Sequence, residues 1–201
     1  DATTDTVGVM SGVQSCLLVD FSSTLVSSLK ARLETTGVVV DAVESSIGGT
    51  SAISKLSESY NLVLYSGLDP CESRETEDDR ESGPEAEYSA VRRCLTFLGD
   101  ICSRSSSIVL ITDGAHSQDQ CSPYEAENRR TSKALMAILR SARVEYPSVH
   151  MTAIDVAGGA TNGDCIWSAV VTELQESSTE VEVVYEADGR RMVRRYDQIT
   201  N

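Results

Sequence analysis

Oxygen-bearing side chains follow two of the apolar runs in this chain, in a spacing that suits a divalent cation. Asp20, Ser22 and Thr24 form the pattern Asp-x-Ser-x-Thr after the first run. Thr50 and Asp113 come later, the latter within Thr-Asp-Gly. Carboxylate and hydroxyl oxygens are the hard ligands that Mg²⁺ prefers. These five residues are therefore one candidate metal site, although short motifs also arise by chance when hydroxyls cap a helix and Asp-Gly makes a turn.

A dinucleotide site is not indicated by the same turn. Pyrophosphate requires a glycine-rich turn between the first strand and its helix, because only bare backbone approaches the phosphates closely. The turn 20–24 contains no glycine and adds the carboxylate of Asp20, which repels phosphate. Gly8 and Gly12 precede the strand, and Gly48 begins a pair without the rest of the fingerprint. We predict that this chain binds no cofactor.

The sequence also lacks the residue patterns that are usual in reductase and hydrolase active sites. None of the seven tyrosines is followed four positions later by a lysine, and the nearest pair is Tyr88 with Arg92. Arginine is held too firmly protonated to replace that lysine. No Gly-x-Ser-x-Gly segment exists. His150 lies inside a predicted strand and is expected to be a packed neutral ring. His116 lies in a loop and is better placed to act as a base, so a divergent Rossmann-type enzyme remains an open alternative.

The elements that would position these residues form an alternating series. Short apolar, β-branched runs predict buried strands, and the segments between them have helical period. Such a series predicts an α/β fold, a Rossmann-like parallel sheet flanked by helices, with ligands at the carboxyl ends of the strands. Asp-Gly between two late alternating runs predicts a closing β-hairpin. The predicted strands are 16–20, 38–43, 62–65, 108–112, 149–156, 180–186 and 191–196, and the predicted helices are 25–35, 52–58, 88–103, 130–144 and 164–175.

Composition limits the partners of the chain. Its 201 residues form one predicted domain, 1–201, with a net charge of -14. That charge argues against nucleic acid and against anionic membrane surfaces. Much of it lies in the segment 68–87, which has few apolar residues and is predicted to be a mobile surface insertion. Six cysteines without a metal-ligand spacing are predicted to be free thiols in a cytoplasmic protein. The first residue, Asp1, indicates a piece of a longer chain.

Several segments resemble conserved features of known proteins. The pattern of Asp20, Thr50 and Asp113 resembles the metal-dependent adhesion site of von Willebrand factor A domains, which is kept as the alternative function. The segment 139–147 (LRSARVEYP) resembles the "R-x-E-x-P" helix end of ketoreductase regions in polyketide synthases. The segments that follow, 152–156 (TAIDV) and 180–195, resemble the next strand and the closing hairpin of that region, and 108–114 fits its "L-x-x-T-x-G" strand.

The ketoreductase resemblance covers most of the chain, and fungal highly reducing synthases look most similar. It implies a tandem of two Rossmann-like halves, of which the first is a structural pseudo-ketoreductase without catalytic or cofactor residues. The second half binds NADPH and reduces the β-keto group. The implied function is a non-catalytic scaffold for that half and for neighbouring synthase domains, within a homodimeric parent synthase. No catalytic, cofactor-binding or metal-ligating residue is carried over to this chain.

Overall fold

The computed structural model describes residues 12–43, 59–68, 84–116, 123–157, 163–175, 180–186 and 188–193. Strands and helices alternate along these residues, as the periodicity predicts. The strands are β1 (Ser15–Val19), β2 (Val39–Val43), β3 (Tyr60–Ser66), β4 (Ser105–Asp113), β5 (His150–Val156), β6 (Glu182–Tyr185) and β7 (Arg191–Val193). The helices are α1 (Ser23–Thr35), α2 (Pro84–Ile101), α3 (Pro123–Glu145) and α4 (Gly163–Gln175).

The described strands make one seven-stranded sheet in the order β2-β1-β3-β4-β5-β6-β7. Every neighbouring pair is parallel except β6 and β7, which form an antiparallel hairpin. This arrangement confirms the predicted Rossmann-like α/β fold and its closing hairpin. The turn of the hairpin includes Gly189 with φ of +82°, a conformation that glycine adopts without steric cost.

Helices cover both faces of the sheet, which explains why its strands are continuously apolar. On one face, Phe97 of α2 and Leu135 of α3 pack against strand residues such as Leu110. On the other face, Leu29 of α1 and Val170 of α4 pack against the alternate strand residues. The sheet is therefore a buried middle layer, and only its ends and edges are available for other contacts.

Two helices begin earlier than predicted because a proline occupies their first position. α2 begins at Pro84 rather than at Tyr88, so the last residues of the predicted insertion 68–87 are helical. α3 begins at Pro123, seven residues before the start of the predicted helix 130–144. Proline suits the first helical position, where its missing N–H would have no partner. The predicted helix 52–58 lies outside the described residues.

Two side chains lie in environments different from those predicted. The helical period of the sequence predicts Leu95 on the buried stripe of α2, together with Val91, Leu98 and Cys102, but Leu95 is 55% exposed, and Cys94 and Phe97 are buried. His150 was predicted to be packed, but it is the exposed first residue of β5. The period of apolar residues predicts which face of a helix is buried, but tertiary packing decides which residues at the border of that face are covered. Among the described cysteines, residues 16, 94, 102 and 165 are free thiols.

Candidate functional site

The candidate site lies at the carboxyl ends of β1 and β3. The chain leaves β1 toward β2 on one side and later returns to β3 on the other side of β1. This reversal is the topological switch point, where open α/β sheets form the crevice for their ligands. Asp20 follows β1 directly, and Ser66 ends β3. These residues therefore decide what the crevice can accept.

Asp20 is held in an unusual conformation at this point. Its φ is +61°, and it is the one non-glycine residue with positive φ in the described part of the chain. Its backbone N–H donates to the carbonyl oxygen of Val43 over 3.0 Å, which joins the end of β1 to the end of β2. A non-glycine residue in this region costs about 1–3 kcal/mol and persists only where surrounding contacts impose it. Asp20 is thus positioned by the structure around it.

The side chain of Asp20 bridges the two strands that flank the switch point. The phenol of Tyr65, on β3 beside the end of β1, has the Asp20 carboxylate as a polar and electrostatic neighbour. Tyr65 is buried and stacks on Phe97 of α2, with ring centroids 4.6 Å apart. Burial, followed by the nearby Cys94 thiol and Asp20 carboxylate, raises the pKa of Tyr65. The phenol therefore stays protonated and can donate a hydrogen bond to Asp20.

Of the other candidate metal ligands, those that the structure describes are not gathered around Asp20. Ser22 is the N-cap of α1, and its hydroxyl accepts a hydrogen bond from the backbone N–H of Leu25 over 3.4 Å. Thr24 lies in the first turn of α1 with an exposed side chain, and Thr50 lies outside the described residues. Asp113 ends β4, which is separated from β1 by the whole of β3. Two strand spacings place these backbones about 10 Å apart.

The metal-site hypothesis gains no support from the described residues. Within the described ranges, no group of three or more His, Cys, Asp or Glu side chains is placed to hold a metal ion. The hydroxyl of Ser22 instead performs the capping role that was the alternative explanation of the motif. The adhesion-module hypothesis is therefore not supported.

A second polar cluster is centred on Asp155 in β5. Asp155 is fully buried and lies opposite Thr112 of β4 in the parallel register. Its carboxylate accepts hydrogen bonds from the Thr112 hydroxyl at 2.8 Å and from the backbone N–H groups of Ala115 and His116, each at 2.9 Å. Nδ1 of His116 lies 3.0 Å from Oδ2 of the same carboxylate. Asp155 therefore fixes the chain where it leaves β4.

These bonds decide the protonation state of Asp155. Burial by itself raises the pKa of a carboxyl group. Here the hydrogen bonds from the His116 ring, the Ala115 N–H, the Thr112 hydroxyl and the His116 N–H outweigh burial, and the pKa of Asp155 is lowered. An ionised carboxylate only accepts hydrogen bonds, so Nδ1 of His116 carries the proton in this contact.

The other side of the His116 ring faces a second buried carboxylate. Nε2 of His116 lies 3.8 Å from Oε2 of Glu182 in β6, and the ring side chain is 12% exposed. Glu182 is also paired with Arg140 of α3. Both ring nitrogens of His116 therefore face carboxylates of this chain, an arrangement that ties β4, β5, β6 and α3 together.

A third polar cluster fastens the hairpin to α4. Arg191 of β7 donates two hydrogen bonds to Glu173, from Nε at 2.7 Å and from Nη2 at 2.9 Å. The phenol of Tyr185 in β6 donates to the same carboxylate at 2.6 Å. Such bidentate contacts are roughly twice as strong as neutral hydrogen bonds. The closing hairpin is therefore held by two charged helix residues, Glu173 on one face of the sheet and Arg140 on the other.

Sequence reasoning did not identify Tyr65, Asp155 or Glu182 as members of polar clusters. Asp155 gave the clearest signal, because it is a charged residue inside a run predicted to be a buried strand. A carboxylate in such a position requires partners. Tyr88, the nearest match to a catalytic tyrosine, lies on the outer surface of α2 and is 67% exposed.

Comparisons with known proteins support the fold assignment. No protein-family model and no curated protein matches this chain. A solved structure described as a small-chain dehydrogenase matches with a TM-score of 0.64 and 13% identity, covering 88% of this chain and 97% of that one. A short-chain dehydrogenase/reductase from Vibrio parahaemolyticus matches with a TM-score of 0.59 and 14% identity, covering 85% and 99%.

A short chain dehydrogenase from Burkholderia cenocepacia J2315, solved in complex with NADP, matches with a TM-score of 0.60 and 14% identity over 85% of this chain and 87% of that one. Identities this low show the fold alone. Among the described helices, none is long and apolar enough to cross a membrane. The chain has the Rossmann-like fold that is also found in short-chain dehydrogenase/reductase structures.

Proposed function

We propose that this chain is the non-catalytic, ketoreductase-like half of a reductase region in a cytoplasmic polyketide synthase. In this role it binds no cofactor. It packs against an NADPH-binding catalytic half, and against neighbouring synthase domains, in a homodimeric parent protein. Its contribution is the stability and placement of the catalytic half.

The observation that carries this proposal is the internal bonding of polar groups at the strand ends. In an active site, polar side chains at this edge are directed at a substrate or cofactor. Here the carboxylate of Asp20 neighbours the phenol of Tyr65, and Asp155 accepts a hydrogen bond from the hydroxyl of Thr112. The ring of His116 lies between two carboxylates. An α/β core whose strand-end groups bind one another is suited to supporting a partner rather than to chemistry of its own.

The segments that resemble ketoreductase regions support the same role. The helix end at 139–147 lies in the last turns of α3, and 152–156 lies within β5. The closing hairpin is fixed by Glu173 and by Arg140. The part of the chain with the most specific resemblance is therefore also joined across its elements by ion pairs to the buried carboxylates of Glu173 and Glu182, which supports a scaffold role.

The proposal is tested by measuring cofactor binding and partner stability. The chain is expressed alone, and also joined to the reductase half that follows it in its parent protein. NADPH binding is followed by calorimetry. We expect no saturable binding by the chain alone, and binding together with a higher melting temperature for the joined protein than for the separate reductase half. Saturable NADPH binding by this chain alone at physiological cofactor concentrations would refute the proposal.

A further inference from the structure

The edge of the sheet that binds phosphates in dinucleotide-binding folds carries the carboxyl group of Asp20 in this chain. Phosphates bind there because the N-terminus of the first helix offers free N–H groups and because the preceding turn is bare backbone. In this chain the hydroxyl of Ser22 already accepts the N–H of Leu25, and Phe21 is buried beneath the turn. Asp20 adds a carboxylate two residues before the helix cap. The residues present do not fit a dinucleotide phosphate.

The position of Asp20 is held by contacts on two sides. Its backbone N–H donates a hydrogen bond to the carbonyl oxygen of Val43, and its carboxylate neighbours the phenol of Tyr65. Tyr65 is in turn buried against Phe97. Moving the carboxylate away from Tyr65 would remove a polar partner from a buried phenol, which is costly.

We propose that Asp20 is the residue that excludes anionic nucleotides from the switch-point crevice, with Tyr65 as its positioning residue. This inference rests on the proposed function and names the group that enforces it. Like charges a few ångströms apart near a protein surface repel by several times the thermal energy. A carboxylate at this place therefore disfavours the pyrophosphate of any dinucleotide, whichever base or sugar it carries.

Another carboxylate in the sheet provides a matched control. Asp41 lies on β2 and accepts a hydrogen bond from the phenol of Tyr60 over 2.9 Å. Asp20 and Asp41 thus share the residue type and the kind of partner, but only Asp20 lies at the switch point. Asp20→Asn and Asp41→Asn remove the same charge. Asparagine and glycine both tolerate positive φ, so Asp20→Gly is a second variant that keeps the backbone conformation.

The test measures binding of inorganic pyrophosphate and of NADPH to the whole chain by calorimetry at low and at high salt. Circular dichroism confirms that each variant is folded. We expect Asp20→Asn and Asp20→Gly to bind pyrophosphate at least about tenfold more tightly than wild type and Asp41→Asn do, with the gain reduced at high salt.

The outcomes separate the two proposals. If the Asp20 variants bind pyrophosphate no better than Asp41→Asn does, the exclusion role of Asp20 is wrong while the scaffold role stands. If the wild-type chain already binds NADPH at physiological concentrations, the proposed function itself fails. A gain that is equal at low and high salt contradicts exclusion by charge.

Discussion

The carboxylate of Asp155 lies 3.0 Å from Nδ1 of His116, although 39 residues separate them in the chain. The contact joins the carboxyl end of β5 to the residues that follow β4. The opposite nitrogen of the ring lies near Glu182, so the imidazole connects two buried carboxylates on neighbouring strands. This relationship joins β4, β5 and β6 through one polar network.

Asp155→Asn is expected to lower the free energy of unfolding by about 2–4 kcal/mol, because a buried carboxylate that accepts four hydrogen bonds is replaced by an amide that cannot accept them all. Urea denaturation followed by circular dichroism measures the change. Asp41→Asn is the control, because Asp41 is only partly buried and accepts the hydrogen bond of Tyr60, so a loss of about 1 kcal/mol is expected. Equal losses in the two variants would contradict a special role for Asp155.

The lowered pKa of Asp155 predicts a pH dependence with a definite sign. Its ordinary value is 3.8, and hydrogen bonding lowers it in the folded chain. The stabilisation is therefore complete above that ordinary value and is lost as the pH falls below it, through the folded pKa. Urea unfolding between pH 7 and pH 3 should show wild type losing more stability on acidification than Asp155→Asn does. Parallel profiles for the two proteins would show that Asp155 is not the group responsible.

The fold was predictable because its signals are local. Each strand is a short apolar run, and the stripe Leu25, Leu29 and Leu33 sets the buried face of α1. The hairpin followed from Asp188 and Gly189 between alternating runs. Helix starts at Pro84 and Pro123 were missed because their first turns are polar and carry no stripe.

The candidate site was less predictable because its contacts are long-range. Nothing in the local sequence joins Asp20 to Tyr65, or Asp155 to His116, since these pairs arise only when the strand order is known. The motif around Ser22 and Thr24 illustrates the problem, because a capping hydroxyl and a metal ligand have the same local sequence. The strand order decides between the two interpretations, because β3 lies between β1 and β4 and separates Asp20 from Asp113.

The hairpin offers two adjacent arginines in contrasting environments. Arg191 pairs with Glu173, whose side chain is almost fully buried, whereas Arg190 pairs with the half-exposed Glu186. Arg191→Ala leaves a buried carboxylate without its cation, so a loss of about 2–3 kcal/mol is expected. Arg190→Ala should cost less than about 1 kcal/mol, because exposed pairs are screened by solvent.

Hydrogen exchange distinguishes a local from a general effect of these arginines. In Arg191→Ala the amides of β6 and β7 should exchange faster than in wild type, while those of β1 and β3 keep their protection relative to the global stability. Equal exchange in the hairpins of the two arginine variants would contradict the role assigned to the pair with Glu173.

Gly67, just beyond β3, tests how tightly the candidate edge is packed. A Cβ at this position would lie 2.9 Å from Cδ1 of Leu135, 3.1 Å from the carbonyl oxygen of Ile111 and 3.2 Å from Cγ2 of Thr112. The backbone oxygen cannot move without disturbing β4, so Gly67→Ala should destabilise the chain by about 1–3 kcal/mol. Gly99 in α2 is the matched control, because a Cβ there meets nothing within 4 Å. Gly99→Ala should stabilise the helix by about 0.5–1 kcal/mol, so thermal melting should shift the two variants in opposite directions, and a shift in the same direction would contradict this packing.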